Sequence, residues 1–269
     1  MVDSGPVGGG QERSDPRVST DAPTFLLLHS VACTGLMTWY PALEMLREFG
    51  RVVVLDQRWH GQGIASPRFL LEDCADDVAA LADELGIRSF VPVGYSMGSL
   101  VAQLVWRRHR ERVDGLVLCA ASTAYSRASY ERLATGVFAA MVEAFSPRPG
   151  LPAAPLPNGT EIVRHDRQWV LGQFRTTSPG AISRAIAEIT RFDSTPWVHE
   201  IDVPTSVLLT LRDRVVSPRR QHWLAGEIAG AHIVPVEAGH ASCTLQSDKF
   251  VPGLREAVDS VRRRITAAR

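Results

Sequence analysis

The chain has 269 residues, 45% of them apolar, with 29 Lys and Arg set against 29 Asp and Glu. That length suits one large domain or a core carrying an insertion, and it is long enough to bury a substantial core. The balanced charge leaves no sequence-wide field to attract nucleic acid or an anionic membrane, so neither is an expected partner.

Residues 1–20 are polar and glycine-rich with no apolar h-region, and they read as a flexible tail. No later stretch is long and apolar enough to span a membrane. Cys33, Cys74, Cys119 and Cys243 lie far apart and form no CxxC pair. They read as thiols of a reducing compartment, which predicts a cytoplasmic protein.

After the tail, residues 24–29 form a short apolar run, the pattern of a strand buried on both faces. The pattern returns at 51–56, 89–94, 115–120, 206–210 and 233–237, giving six expected strands. Helical spacing covers 41–49, 71–85, 99–110, 218–228 and 249–267, the last with Leu254, Val258, Val261 and Ile265 on one face. Strands alternating with amphipathic helices predict an α/β fold, a mostly parallel doubly wound sheet joined by right-handed crossovers.

The alternation fails over residues 122–200. Helical patterns appear there at 129–145, 166–174 and 179–192, without a convincing strand. Between the first two, residues 146–159 carry Pro147, Pro149, Pro152, Pro155 and Pro157, which stop a helix and favour an extended connection. Residues 21–121 and 201–269 are therefore expected to form the core, and 122–200 a helical lid.

The third expected strand runs into Gly94-Tyr95-Ser96-Met97-Gly98 and then into a helical pattern. A serine between two glycines at a strand-to-helix junction can occupy a strained turn that exposes its hydroxyl at the carboxyl end of the strand. Alone, a Gly-x-Ser-x-Gly match is weak. A nucleophilic serine also needs a base, a carboxylate that orients the base, and donors for an oxyanion. Asp213 lies just past the fifth strand and His240 just past the sixth. In an open parallel sheet these loops converge on one edge, so Ser96, Asp213 and His240 form the expected triad. The backbone N–H groups of Val31, after the first strand, and of Met97, at the start of a helix, are the expected oxyanion donors. His29 reads as a brace for its loop. The other histidines show no HxxxH or similar spacing, so no metal site is expected.

With these pieces together the chain resembles the α/β-hydrolases. The matching residues are His29-Ser30 with Trp39 downstream, Asp56-Gln57-Arg58-Trp59-His60-Gly61-Gln62-Gly63, Gly94 to Gly98, Asp213 in a D-x-x-V setting, and Gly239-His240. Small lidded esterases and lactone or C–C hydrolases look most similar. The resemblance implies the triad, a backbone oxyanion hole at Val31 and Met97, no cofactor, and a lid over the cleft. Two departures stand out. Many members have glycine where this chain has Ser30, which predicts backbone strain there. Members also commonly begin with two antiparallel edge strands, and residues 1–23 offer little of that kind. The loop from Asp56 to Gly63 is expected to be anchored by its charged pair and not to touch substrate.

The expected function is hydrolysis of a carboxylic ester, lactone or related acyl bond of a small to medium, partly apolar molecule through an acyl-enzyme on Ser96. Ser30, Tyr95, Phe138 and Trp169 are the candidate substrate contacts. In the lid, Met141, Phe145 and Phe174 read as packing, and Arg164, His165 and Arg167 as a solvated face. The alternatives are an acyltransferase or C–C bond hydrolase with the same triad, a cofactor-free haloperoxidase or perhydrolase, and a non-catalytic ligand-binding module. The sequence leaves a homo-oligomer open.

Overall fold

The computed structural model describes residues 1–5, 22–125, 154–155, 162–163 and 167–268, without the side chains of 154, 155, 162, 163, 167, 168, 170 and 171. Its centre is a seven-stranded sheet built from β1 (Val2–Asp3), β2 (Thr24–Leu28), β3 (Arg51–Val54), β4 (Val91–Tyr95), β5 (Leu116–Cys119), β8 (Thr205–Thr210) and β9 (His232–Val236). The strand order is β1-β3-β2-β4-β5-β8-β9, and every pairing but the first is parallel. The apolar runs behave as doubly buried strands should. In β2, Leu26 and Leu28 face one side of the sheet while Phe25 and Leu27 face the other, and none of the four is exposed. Burying each contributes about 2 kcal/mol of transfer free energy.

Helices cover both faces. Leu71–Glu84, Met97–Arg108 and Pro218–Glu227 pack on the Leu26 side. The short helices Gly35–Trp39 and Leu43–Arg47, with the long Ser247–Ala268, pack on the Phe25 side. From β2 the chain first moves outward to β3 and then returns to β4 on the other side of β2. That reversal between β2 and β4 is a topological switch point, where the loops after neighbouring strands part and leave a crevice at their carboxyl ends.

Two features differ from expectation. Val2 and Asp3, placed in the flexible tail, form an antiparallel edge strand on β3, so the sheet has seven strands and not six. The pairing is held by Arg51, whose guanidinium donates to both Asp3 oxygens at 3.0 and 2.7 Å. Within residues 122–200, where no strand was expected, β6 (Ala154–Pro155) pairs antiparallel with β7 (Ile162–Val163). A proline-rich segment is already extended, and a two-residue ladder asks no more of it.

Among the described residues, the stretch between β5 and β8 also contributes the helices Arg167–Arg175 and Pro179–Arg191. Ser178 caps the second by accepting from Ala181 N at 3.1 Å, with Pro179 at its first position. Ala185, Ile186 and Ile189 then pack onto the core. The chain on either side of this stretch comes together where Ser194 N donates to Thr123 O at 2.7 Å and Ala124 bridges Asp193. Trp106 and Trp197 stack below it with ring centroids 6.2 Å apart. The helix expected at 129–145, with Phe138, Met141 and Phe145, lies outside the described residues, as do Arg164 and His165.

Candidate active site

Ser96 is the single residue between β4 and the helix Met97–Arg108. Its φ of 53° and ψ of −114° lie where a side chain costs about 1–3 kcal/mol. The surrounding contacts enforce this conformation. Ser96 N donates to Cys119 O at 2.9 Å. The Ser99 hydroxyl, one turn on, sits 2.8 Å from Gly94 O and 2.9 Å from Cys119 O. Strand and helix are packed too closely for side chains at the flanking positions. A Cβ on Gly94 would lie 2.3 Å from Gly98 O, and one on Gly98 would lie 2.1 Å from Leu28 O.

The loops after β8 and β9 meet this turn. The Ser96 hydroxyl lies 3.0 Å from His240 Nε2, and His240 Nδ1 lies 2.7 Å from Asp213 Oδ2. A carboxylate accepts only, so Nδ1 carries the proton and Nε2 is left to accept from the serine. The Asp213 side chain is fully buried, whereas that of His240 is 17% exposed. Asp213 Oδ1 accepts from the N–H groups of Val215 and Val216, both at 2.8 Å. Its Oδ2 also accepts from Thr210 Oγ1 at 2.7 Å and Gln221 Nε2 at 3.3 Å. Burial pushes the Asp213 carboxyl up, but the attraction and hydrogen bond of His240, with the Thr210 and Val216 donors, outweigh it and hold the group below the usual carboxylate range. Thr210 and Gln221 were not singled out in the sequence. The available signal was Gln221 at an inward position of the helix after Asp213, where a buried amide needs polar partners.

Tyr95, expected to touch substrate, is buried on the opposite face of the sheet from Ser96. It is 1% exposed and packs edge-on against Phe250, with ring centroids 5.4 Å apart, and against Trp39 at 6.4 Å. Strand alternation puts it on the face of Val91 and Val93, away from Ser96. Its hydroxyl donates to His240 O at 2.7 Å and lies 3.0 Å from Ser242 Oγ.

The loop after β2 lies beside the turn, across the switch point. His29 Nδ1 donates to Ser30 O at 2.7 Å, its Nε2 accepts from Gln57 N at 2.8 Å, and Gln57 Nε2 donates back to His29 O at 2.8 Å. Burial lowers the His29 pKa, which keeps the ring neutral as this pattern requires. The strain expected at Ser30 falls instead at Ala32, whose φ is 63°. Cys33 N donates to Ser30 O at 3.3 Å, so Ala32 occupies the third position of a tight turn, the one that takes positive φ in type II geometry. Ser30 is 8% exposed, and Val31 and Met97 are buried, Met97 as the first residue of its helix.

The loop from Asp56 to Gly63 serves as an anchor. Asp56 accepts from Gly35 N at 2.7 Å and from Gln62 N at 2.9 Å, and Arg58 pairs with Asp77 and Asp73 at 2.7 and 2.9 Å. Trp169 lies edge-on to Tyr40 at 5.6 Å and against the Ala32, Met37 and Phe174 cluster. Phe138 is outside the described residues. Among the described residues, no group of three His, Cys, Asp or Glu side chains is arranged to hold a metal ion.

Comparison with known proteins agrees with this architecture. A family model described as alpha/beta hydrolase fold matches residues 23–245. Pimeloyl-[acyl-carrier protein] methyl ester esterase from Neisseria meningitidis is 27% identical over 218 residues, 78% of this chain and 84% of its own. Among solved structures, a thermophilic esterase from Thermogutta terrifontis is 28% identical with a TM-score of 0.69, over 89% of this chain and 90% of its own. The enol-lactonase from Burkholderia xenovorans LB400 is 25% identical with a TM-score of 0.70, over 89% and 92%.

Proposed function

The chain belongs to the alpha/beta hydrolase family and is a hydrolase, and from that premise we propose that it cleaves a carboxylic ester, lactone or related acyl bond through an acyl-enzyme on Ser96. The observation that carries the reading is the continuous hydrogen-bonded line from Asp213 through His240 to Ser96, at 2.7 and 3.0 Å, ending on a serine held in a strained turn.

His240 Nε2 takes the Ser96 proton as Oγ attacks the acyl carbon, and the carbonyl electron pair moves onto oxygen. Val31 and Met97 N–H groups donate to that oxyanion, helped by the helix N-terminus behind Met97. As the oxyanion collapses, the bond to the leaving oxygen breaks and His240 returns the proton to it. A water deprotonated by His240 then attacks the acyl-enzyme and frees Ser96 and the acid. Asp213 keeps the imidazole in its reactive tautomer and stabilises its charged form. The substrate in this reading is a small to medium, partly apolar molecule, and its reacting group is of the kind printed in the relatives' names, a methyl ester in one and an enol-lactone in another. Four cysteines outside disulfides, and the lack among the described residues of a helix long and apolar enough to cross a membrane, support placing this chemistry in the cytoplasm.

The test is hydrolysis of p-nitrophenyl acetate and butyrate by the parent and by Ser96→Ala, with fluorophosphonate labelling of both. The variant is expected to lose about 10⁶-fold in kcat and all labelling. Equal rates, or a folded parent that resists the label, would remove Ser96 from the mechanism.

A further inference from the structure

The helix Arg167–Arg175 is fastened to the loop that carries Val31. Thr34 caps the helix Gly35–Trp39 by accepting from Met37 N at 3.2 Å, which leaves its hydroxyl proton free to donate. That proton goes to Gln173 Oε1 at 2.6 Å, across 139 residues of sequence. The next residue, Phe174, packs with Ala32 and Met37. A turn further on, Thr177 Oγ1 accepts from Gly61 N at 3.3 Å, and Gly61 belongs to the loop that Asp56 ties to Gly35. The insertion therefore grips both loops that meet behind Val31. Such support has a physical purpose. The positive φ at Ala32 costs about 1–3 kcal/mol, and the turn's own backbone returns one long hydrogen bond, Cys33 N to Ser30 O at 3.3 Å.

We infer that Gln173 is a positioning residue for acyl transfer: by accepting from Thr34 it fixes the loop 30–34 and so aims the Val31 N–H at the developing oxyanion. The inference rests on the acyl-transfer reading, with Val31 as a donor. A donor that turns away from the oxyanion weakens transition-state binding and leaves ground-state binding in place, so the loss falls on kcat and not on KM. Thr34 is the proton donor, so position 173 needs only an acceptor. Gln173→Glu keeps one there, whereas Gln173→Leu removes it at similar size.

The experiment measures kcat and KM on p-nitrophenyl acetate for the parent, Gln173→Leu and Gln173→Glu. It adds inhibition by a phenylboronic acid, which forms a tetrahedral adduct on the serine, and thermal melting of each protein. Gln173→Leu is expected to lower kcat about 10- to 100-fold, less than outright removal of a donor, with KM within about twofold and boronate affinity reduced in step with kcat. Gln173→Glu is expected to retain kcat within about threefold, and all three proteins are expected to melt within about 4 °C of one another. The inference is overturned if Gln173→Leu keeps the parent kcat, if its loss appears in KM alone, or if Gln173→Glu is as slow as Gln173→Leu. A folded parent that does not turn over the ester overturns the acyl-transfer reading itself, and this inference with it.

Discussion

The Tyr95 hydroxyl donates to the His240 carbonyl at 2.7 Å, so the residue immediately before the nucleophile fastens the loop that carries the base. Nucleophile and base are thereby held from beneath by one buried ring as well as by their direct contact. Tyr95→Phe keeps the ring and its packing but strands the His240 carbonyl. The variant is expected to lose about 1 kcal/mol of stability and about 3- to 10-fold in kcat with little change in KM. Urea unfolding and steady-state kinetics on the same preparation check both, and a parent-like kcat would separate Tyr95 from the alignment of the base.

Asp213→Asn tests the tautomer argument. Its side-chain oxygen can still accept from Val215 and Val216 N–H, but its amide presents a donor to His240 Nδ1. The imidazole then carries its proton on Nε2 and cannot accept from Ser96. A loss of about 10⁴-fold in kcat is expected with the fold retained. A loss below tenfold would show that the imidazole finds its reactive tautomer without the carboxylate.

Acid should weaken the fold through His60. Its ring is buried 5.1 Å from that of His29, and burial, followed by the neighbouring His29, lowers its pKa from 6.5 to about 3. A base with a lower pKa when folded binds more protons when unfolded, so stability falls as pH drops from 6.5 towards 3 and is fully present above that window. The buried Asp213, held low, adds a further loss only below its ordinary value of 3.8. His60→Phe loses one hydrogen bond, to Arg58 O at 3.1 Å, yet its unfolding free energy is expected to fall less steeply between pH 6.5 and 4. Parallel pH profiles for parent and variant would assign the acid sensitivity elsewhere.

Gly98→Ala tests the close approach of helix to sheet. The new Cβ would lie 2.1 Å from Leu28 O, in the backbone of the strand that pairs with β4, so relief requires the switch point to widen. A loss of about 3 kcal/mol or more is expected, visible as a fall in the urea midpoint. An unchanged midpoint would mean that the helix moves freely on the sheet.

Much of this arrangement is legible in the sequence because it depends on local pattern. Doubly buried strands require unbroken apolar runs, and the carboxyl ends of parallel strands must share an edge, so Ser96, Asp213 and His240 were traceable to one place from their positions alone. What escaped depends on distant partners. Val2 and Asp3 form a strand by pairing with Val54 and Val53, fastened by Arg51 on the Asp3 carboxylate and by Ser4 Oγ accepting from Val52 N at 2.9 Å. Gln173 gains its place from Thr34, and neither residue is distinctive in its own segment. The placement of Tyr95 is legible too: counting by two along Val91, Val93 and Tyr95 assigns it to the face turned away from Ser96. Ser30 misled for another reason. Substitution of a glycine locates strain only if the turn keeps its frame, and here the frame places the unusual φ at Ala32.

The bridged ends of the insertion bear on the length of chain between them. Because Thr123 and Ser194 are joined at 2.7 Å and β5 pairs directly with β8, the sheet closes without reference to the length of chain between them. Doubling that length costs the folded state only about 0.6 kcal/mol of loop-closure entropy. The frame can therefore carry a stretch of different length at this point, provided the contacts that Gln173 and Thr177 make to the loops beside Val31 are kept.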